Sequence, residues 1–276
     1  MKPNKKQIIS ALCASLKSQI PGPAARKTNA HVSRLRTVLS ILAMVAASAQ
    51  AETIGGWGIS SLPYTITNSG LYHLTRNFNT YNRTNGAAIT IKLKAGDNGD
   101  VVLDLNEHTI TETNRQSNYY PYGIFNVGDT GDTESGRVTV RNGTLRGFAA
   151  GIFIVANQSV VENMTVIGEG EGLVKASGAI FLGGANAIIR NNRVSGCQTC
   201  IQVAGDDAVL ENNRVSGAGY VGIYCEGNFP LVVNSRITSS GDFGIWIASA
   251  TGKYRDNLVN ASGMQYSGGT DAGNNH

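Results

Sequence analysis

Six residues, NNRVSG, occur twice in this chain, at Asn191–Gly196 and Asn212–Gly217, 21 residues apart. Aligned on the asparagine, the pattern extends to NGTL at Asn142, NMTV at Asn163, NNRV at Asn191 and Asn212, and NSRI at Asn234, with NLVN at Asn257 as a degraded copy. The intervals are 21, 28, 21, 22 and 23 residues. A second motif keeps step with the first: GIFN at Gly123, GIFI at Gly151, GAIF at Gly178, CIQV at Cys200, GIYC at Gly222 and GIWI at Gly244, the last three intervals being 22 each. A unit this short cannot bury an apolar face by itself and has to stack on its copies, so the period constrains the fold more than any other feature.

Each unit reads as three short strands. SVVEN, AIIRN, AVLEN and LVVN form one strand ending at the asparagine. The residues just after the asparagine start a second, and the GI-x-I segment is the third. All are rich in Val and Ile and are separated by Gly, Asn, Ser and Asp. No sustained helical period occurs after residue 52. A leucine-rich repeat has a similar period but needs Leu at fixed positions, and Leu is sparse here. The expected fold is an all-β parallel β-helix, a solenoid of three sheets with about seven coils of ~22 residues, each coil roughly 4.8 Å above the last.

Within that fold the asparagine belongs at a sharp turn between two strands. Asn tolerates the left-handed conformation, and its amide can bond the backbone or the next amide along the axis. The residue before it is Arg141, Glu162, Arg190 and Glu211 in successive coils, so opposite charges face one another across parallel strands and support the register. Two residues after it stand Thr144, Thr165, Arg193, Arg214 and Arg236. The three arginines form either a basic stripe or a solvated face.

The stretch VVLDLNEHTI (Val101–Ile110), followed by coils ending VENM, IRNNRV and LENNRV, resembles the secreted right-handed parallel β-helix proteins of the pectin lyase-like superfamily, over roughly residues 60–263. The resemblance implies a right-handed, single-stranded β-helix. It also implies a range of activities: polysaccharide lyases, glycoside hydrolases, epimerases, phage tailspikes, and repeat proteins without chemistry. His108 falls in LNEHTI, where the resemblance implies a structural role. In relatives that act on polysaccharides the cleft lies along a sheet face.

Side chains alternate along the GI-x-I strand, so its second and fourth positions, such as Ile152 with Ile154, point inward. Its third position faces out and holds Thr90, Phe125, Phe153, Ile180, Gln202, Tyr224 and Trp246 in axial order. Aromatic faces suit sugar rings, and a column along a solenoid suits a linear polymer. Phe125, Phe153, Gln202, Tyr224 and Trp246 are therefore the expected polysaccharide contacts. Aromatics that stack on one another across strands are the alternative.

AGDDAV places Asp206 and Asp207 just after the Gln202 strand. Glu226 follows one coil later, and Asp242 precedes the next strand. Together these four acids are candidate oxygen ligands for Ca²⁺. Asp206, Asp207 and Glu226 are also candidates for acid–base catalysis. GDD resembles one motif of the polygalacturonases, but the chain has no GHG motif, and SRIT at Ser235–Thr238 only partly matches their RIK. The WiDH and RxPxxR motifs of pectate lyases are absent. Asp129, Asp132 and Glu134 in GDTGDTESG are a further Ca²⁺ candidate without EF-hand spacing. The missing signatures leave a non-enzymatic scaffold, adhesin or accessory binding module as the alternative to a polysaccharide-modifying protein.

The formal net charge of +4 belongs to the first 51 residues, which hold 8 of the 23 basic residues and no acid. Residues 52–276 carry 15 basic against 19 acidic residues, so the body has no nucleic-acid signature. Arg34 and Arg36 precede the run TVLSILAMVAASA, which ends in AQA at Ala49–Ala51. That is the pattern of a cleavable signal peptide over 32–51 and implies a secreted or periplasmic protein without a membrane anchor. Residues 1–31 read as sequence upstream of a misassigned start, or as a long n-region. The β-helix domain is expected over 52–276, with residues 52–85 capping the first coil and a polar tail, SGGTDAGNNH, that frays. In an oxidising compartment Cys197 and Cys200 are expected to form a local disulfide, and Cys225 to remain a buried thiol.

Overall fold

The structure, a computed structural model, describes residues 55–276 except 82–85, 95, 98, 114–119, 128–135, 169–177 and 262. The leader and Asp129, Asp132 and Glu134 lie outside the described residues.

Among the described residues, short segments of two to nine residues, most of them rich in Val and Ile, form 25 strands, and every pairing is parallel between successive coils. Face 1 carries β1 (Trp57–Ile59), β3 (Gly70–Leu74), β6 (Val101–Asp104), the first halves of β9 (Val138–Arg146) and β11 (Val160–Ile167), then β13 (Ile188–Arg190), β16 (Val209–Glu211), β19 (Leu231–Val233), β22 (Lys253–Arg255) and β25 (Thr270–Asp271). Face 2 carries β4 (Phe78–Thr80), β7 (Thr109–Glu112), the second halves of β9 and β11, β14 (Arg193–Ser195), β17 (Arg214–Ser216), β20 (Arg236–Ser240) and β23 (Leu258–Ala261). Because β9 and β11 run unbroken round the corner, faces 1 and 2 join as one 16-stranded sheet. Face 3 is a separate sheet of nine strands: β2 (Tyr64–Ile66), β5 (Ala87–Ile91), β8 (Tyr122–Val127), β10 (Ala150–Val155), β12 (Gly178–Leu182), β15 (Thr199–Val203), β18 (Val221–Cys225), β21 (Phe243–Ile247) and β24 (Met264–Ser267). From β5 to β21 this face supplies the seven strands expected from the repeat. β2 and β24 extend the stack by one at each side.

The core is a set of axial ladders. Ile89, Ile124, Ile152, Ile180, Ile201, Ile223 and Ile245 stand in one register down face 3, all essentially fully buried. Leu103, Val140, Val161, Ile189, Leu210 and Val232 do the same on face 1, as do Ile110, Leu145, Val166, Val194, Val215 and Ile237 on face 2. Each side chain packs on its own kind above and below, and burying one contributes about 1.5–3 kcal/mol relative to exposure.

The corner between faces 1 and 2 turns on a residue in the left-handed conformation: Asn142 (φ 57°), Asn163 (54°), Asn191 (57°), Asn212 (53°) and Asn234 (51°). The next coil places Asp256 (φ 56°) there, so NLVN at Asn257 is one residue out of phase and the interval from Asn234 is 22. Expected amide-to-amide bonding at this position occurs between Asn163 and Asn142, Nδ2 to Oδ1 at 3.2 Å. The longer ladder runs one residue later, where Asn192, Asn213, Ser235 and Asn257 are buried. The Met164 N–H donates to Asn192 Oδ1 (2.9 Å), and both the N–H and Nδ2 of Asn192 donate to Asn213 Oδ1 (3.1 Å each). The Asn213 N–H donates to Ser235 Oγ, the Ser235 N–H to Asn257 Oδ1, and the Asn257 N–H to Asn275 Oδ1.

On the outer side of face 1 the charges alternate as the sequence implied. Asp104, Arg141, Glu162, Arg190 and Glu211 are in register, with Arg141 Nε 2.8 Å from Asp104 and Arg190 Nη2 2.7 Å from Glu162. His108 Nδ1 lies 3.3 Å from Asn77 Oδ1, within the same framework of coil turns.

The polar end of the chain is paired rather than frayed. β25 pairs with β22, Asn274 (φ 57°) makes another left-handed corner, and Asn275 extends the buried ladder. The sequence NNH repeats the corner pattern of NNR, and it is this phase, rather than apolar content, that orders the segment. Among the described residues no helix is long and apolar enough to cross a membrane.

Candidate functional site

The outward column of face 3 is Thr65, Thr90, Phe125, Phe153, Phe181, Gln202, Tyr224, Trp246 and Ser267. Ile180, expected in this column, is instead fully buried, and Phe181 takes its place. The coil containing GAIF has one more residue between the glycine and the isoleucine than GIF does, so Ala179 lies where Gly151 does. Alignment on the core isoleucine rather than the glycine would have given this register.

The column divides at Gln202. Below it the phenylalanines stack nearly parallel: Phe125 on Phe153 at 5.6 Å and 25°, and Phe153 on Phe181 at 4.5 Å and 16°. Tyr122 packs on both Phe125 and Phe153. Much of the Phe153 ring face is therefore spent on Phe125 and Phe181.

Above Gln202 the rings form a cluster instead of a stack. Tyr224 and Trp246 are 4.6 Å apart at 31°. Phe243 lies 5.1 Å from Trp246, and Tyr220 meets Trp246 edge-on at 6.4 Å and 86°. Tyr220, from the turn before β18, is 40% exposed. Gln202 Nε2 donates to Glu226 Oε1 at 2.7 Å, a bond that joins the Gln202 coil to the next one, which holds Tyr224. Burial and the neighbouring Glu226 carboxylate raise the Tyr224 pKa, so its hydroxyl keeps its proton and can donate. Four rings beside an amide–carboxylate pair give apolar faces and polar groups within one patch. Tyr220 and Phe243 were not legible as part of it, because Tyr220 sits in a turn and Phe243 at a strand start, outside the repeating third position.

The four acids are not brought together. Asp206 Oδ1 accepts the N–H and Nδ2 of Asn228 (2.7 and 3.2 Å) and so holds the corner between faces 3 and 1. Asp207 (φ 57°) is the left-handed residue of that corner, in series with Gln158, Asn186 and Phe229. Beside it, Gly205 has no room for a Cβ, which would strike the carbonyl of Gly184 one coil away. The main chain of Asp242 links coils, its N–H donating to Tyr220 and its carbonyl accepting from Met264, while its side chain is exposed. Glu226 is the one of the four that bonds to Gln202 of the aromatic face. Among the described residues no three His, Cys, Asp or Glu side chains are grouped to hold a metal ion.

Cys197 and Cys200 are joined by a disulfide at the entry to β15, their Cα atoms 5.3 Å apart. Cys225 lies fully buried between Val203 and Ile247, where the absence of water pushes its thiol pKa well up. It packs as a small apolar residue and stays protonated.

The family model described as right handed beta helix region matches residues 123–275, just over half of the 276 residues. No curated protein and no solved structure matches the chain.

Proposed function

Because the chain belongs to the right-handed β-helix family, we propose that it is an extracytoplasmic protein that binds polysaccharide along face 3, at the end bearing Tyr220, Tyr224 and Trp246. The observation that carries this reading is the half-exposed ring cluster beside the Gln202–Glu226 pair. The core does not use these rings, and unlike Phe125, Phe153 and Phe181 they are not closed into a parallel stack. Rings in that arrangement pack on the C–H faces of a sugar, while the Gln202 amide donates to its hydroxyls and the Glu226 carboxylate accepts from them. The signal-peptide pattern at 32–51 and the Cys197–Cys200 disulfide favour an oxidising compartment.

Binding without cleavage is favoured over hydrolysis. Glycoside hydrolysis by the usual scheme takes two carboxyl groups flanking the scissile bond. Of the acids singled out in the sequence, Glu226 is the one bonded to Gln202 of the patch, and Asp206 is engaged by Asn228.

The test is a panel of neutral glycans titrated against wild type and Trp246→Ala/Tyr224→Ala. Affinity for the bound glycan is expected to fall by about 1 kcal/mol per ring, with the circular dichroism unchanged. A double variant that unfolds would show that the rings belong to the core. One that stays folded and binds fully leaves the protein as a scaffold or adhesin without a glycan site on this face.

A further inference from the structure

Face 2 carries an arrangement that the rest of the molecule avoids. Arg193, Arg214 and Arg236 occupy successive coils in direct register, and all three are exposed. The ion pairs among the described residues are Arg137–Asp100, Arg141–Asp104, Arg190–Glu162 and Arg255–Asp256. None involves the three arginines, and their guanidinium groups hydrogen-bond no described protein group. Like charges directly opposite on neighbouring strands are destabilising. Three residues before Arg193 and Arg214, the same chain meets the same spacing with alternating signs, in a column from Asp104 to Glu211. Alternation is therefore available to this sequence, and the arginine column departs from it.

The column is bounded by Thr165 on one side and Leu258 on the other. Beside it runs a parallel outward column of hydroxyls, Ser195, Ser216 and Thr238. Arg193, Arg214, Val215, Ser216, Arg236 and Thr238 line a groove of ≈ 170 Å³. We propose that this groove binds an acidic polysaccharide, seating anionic groups of successive sugars on Arg193, Arg214 and Arg236 while the hydroxyl column meets the sugar hydroxyls. Guanidinium forks match carboxylate and sulfate oxygens in pairs. The coil spacing of about 4.8 Å is close to the length of one pyranose in an extended chain, whereas phosphates along a strand of B-DNA repeat at about 3.4 Å. The bound polymer supplies the negative charges that face 1 supplies from its own side chains. This site is separate from the aromatic patch and does not depend on it.

The experiment uses the full chain at low ionic strength with carboxymethylcellulose as probe and hydroxyethylcellulose as the neutral polymer on the same backbone. Wild type is expected to bind the first more tightly than the second, and that excess is expected to weaken steeply with salt. Arg214→Glu, which restores alternation to the column, is expected to lose roughly tenfold or more in affinity, with a melting temperature at or above that of wild type. Arg214→Gln is expected to lose affinity to a smaller degree. Trp246→Ala, on face 3, is expected to bind carboxymethylcellulose like wild type. Equal binding of the two polymers, or full affinity in Arg214→Glu, would overturn the proposal. Loss of binding in Trp246→Ala would move the site to the aromatic face. Tighter capture of a single-stranded oligonucleotide of equal charge would make this a nucleic-acid surface instead.

Discussion

At each corner between faces 1 and 2, two adjacent residues divide the labour. Asn212 supplies a left-handed backbone and points to solvent, while Asn213 turns its amide into the protein and bonds three groups of the neighbouring coil. The consequences of mutating them differ. Asn212→Ala keeps every buried hydrogen bond and strains only the backbone, an expected loss of about 1 kcal/mol. Asn213→Leu leaves the Asn192 N–H without an acceptor, the Asn192 amide with only its bond to the Val161 carbonyl, and the Ile189 carbonyl without this donor, an expected loss of about 3 kcal/mol. Urea midpoints at unchanged m-value measure both, and equal losses would show that the buried ladder contributes little. The turn itself was legible, because Asn142, Asn163, Asn191, Asn212 and Asn234 all carry the same side chain. The ladder beside it was not, because its position holds Gly143, Met164, Asn192, Asn213 and Ser235, and only their hydrogen bonds reveal one series.

Strands stack here like with like, and β22 and β24 are where that rule changes. Tyr254 and Tyr266 continue the inner ladders of Val232 and Ile245, and they stack on each other at 4.7 Å and 9° over the apolar core. The Tyr266 hydroxyl donates to the carbonyls of Asn257 (3.2 Å) and His276 (3.4 Å), tying the polar tail to the last full coil. Burial, then Tyr254 and Asp271, push the Tyr266 pKa up to about 12, against the hydrogen bond to His276 that lowers it. The folded state therefore holds this proton more tightly than the unfolded chain, whose tyrosines ionise near about 10. The stabilisation is complete below about pH 10 and is lost as pH rises through about 12. Tyr266→Phe is expected to be less stable at neutral pH by about 1 kcal/mol, and its stability to fall less between those two pH values. Denaturant melts across that range, followed by fluorescence, check it. At this scale the sequence is a good guide wherever the repeat is strict. Gln202, Tyr224 and Trp246 stand in the column their spacing implied, whereas one extra residue in the coil of Gly178 exchanged Ile180 for Phe181. The cluster of Tyr220 and Phe243 on Trp246 depends on a turn conformation that no period encodes.

For the whole molecule, the repeat is the unit of both stability and deletion, because each coil touches only its neighbours. Removing Asn212–Val233, 22 residues, brings Asn234 directly after Glu211, into the corner that Asn212 occupied. That shortened protein is expected to fold and to unfold cooperatively at a lower denaturant midpoint. Removing half as much, Asn212–Gly222, puts later core residues on the wrong faces and is expected to abolish folding. Circular dichroism and urea melts of the two proteins distinguish these outcomes. Faces 1, 2 and 3 also differ from one another in what they show to solvent: alternating charge, uniform charge and aromatic rings. The core ladders do not constrain that choice, which is why fold was easier to read than function. A last consequence concerns force. The ladder hydrogen bonds run along the axis from coil to coil, while within a coil the chain is continuous. Coil interfaces are thus links in series, and they are unequal: β9 and β11 share seven paired positions, β22 and β25 only two. Pulled by its two ends, the molecule would yield first at the β25 side and then release one coil at a time, lengthening in near-equal steps like thread drawn from a spool.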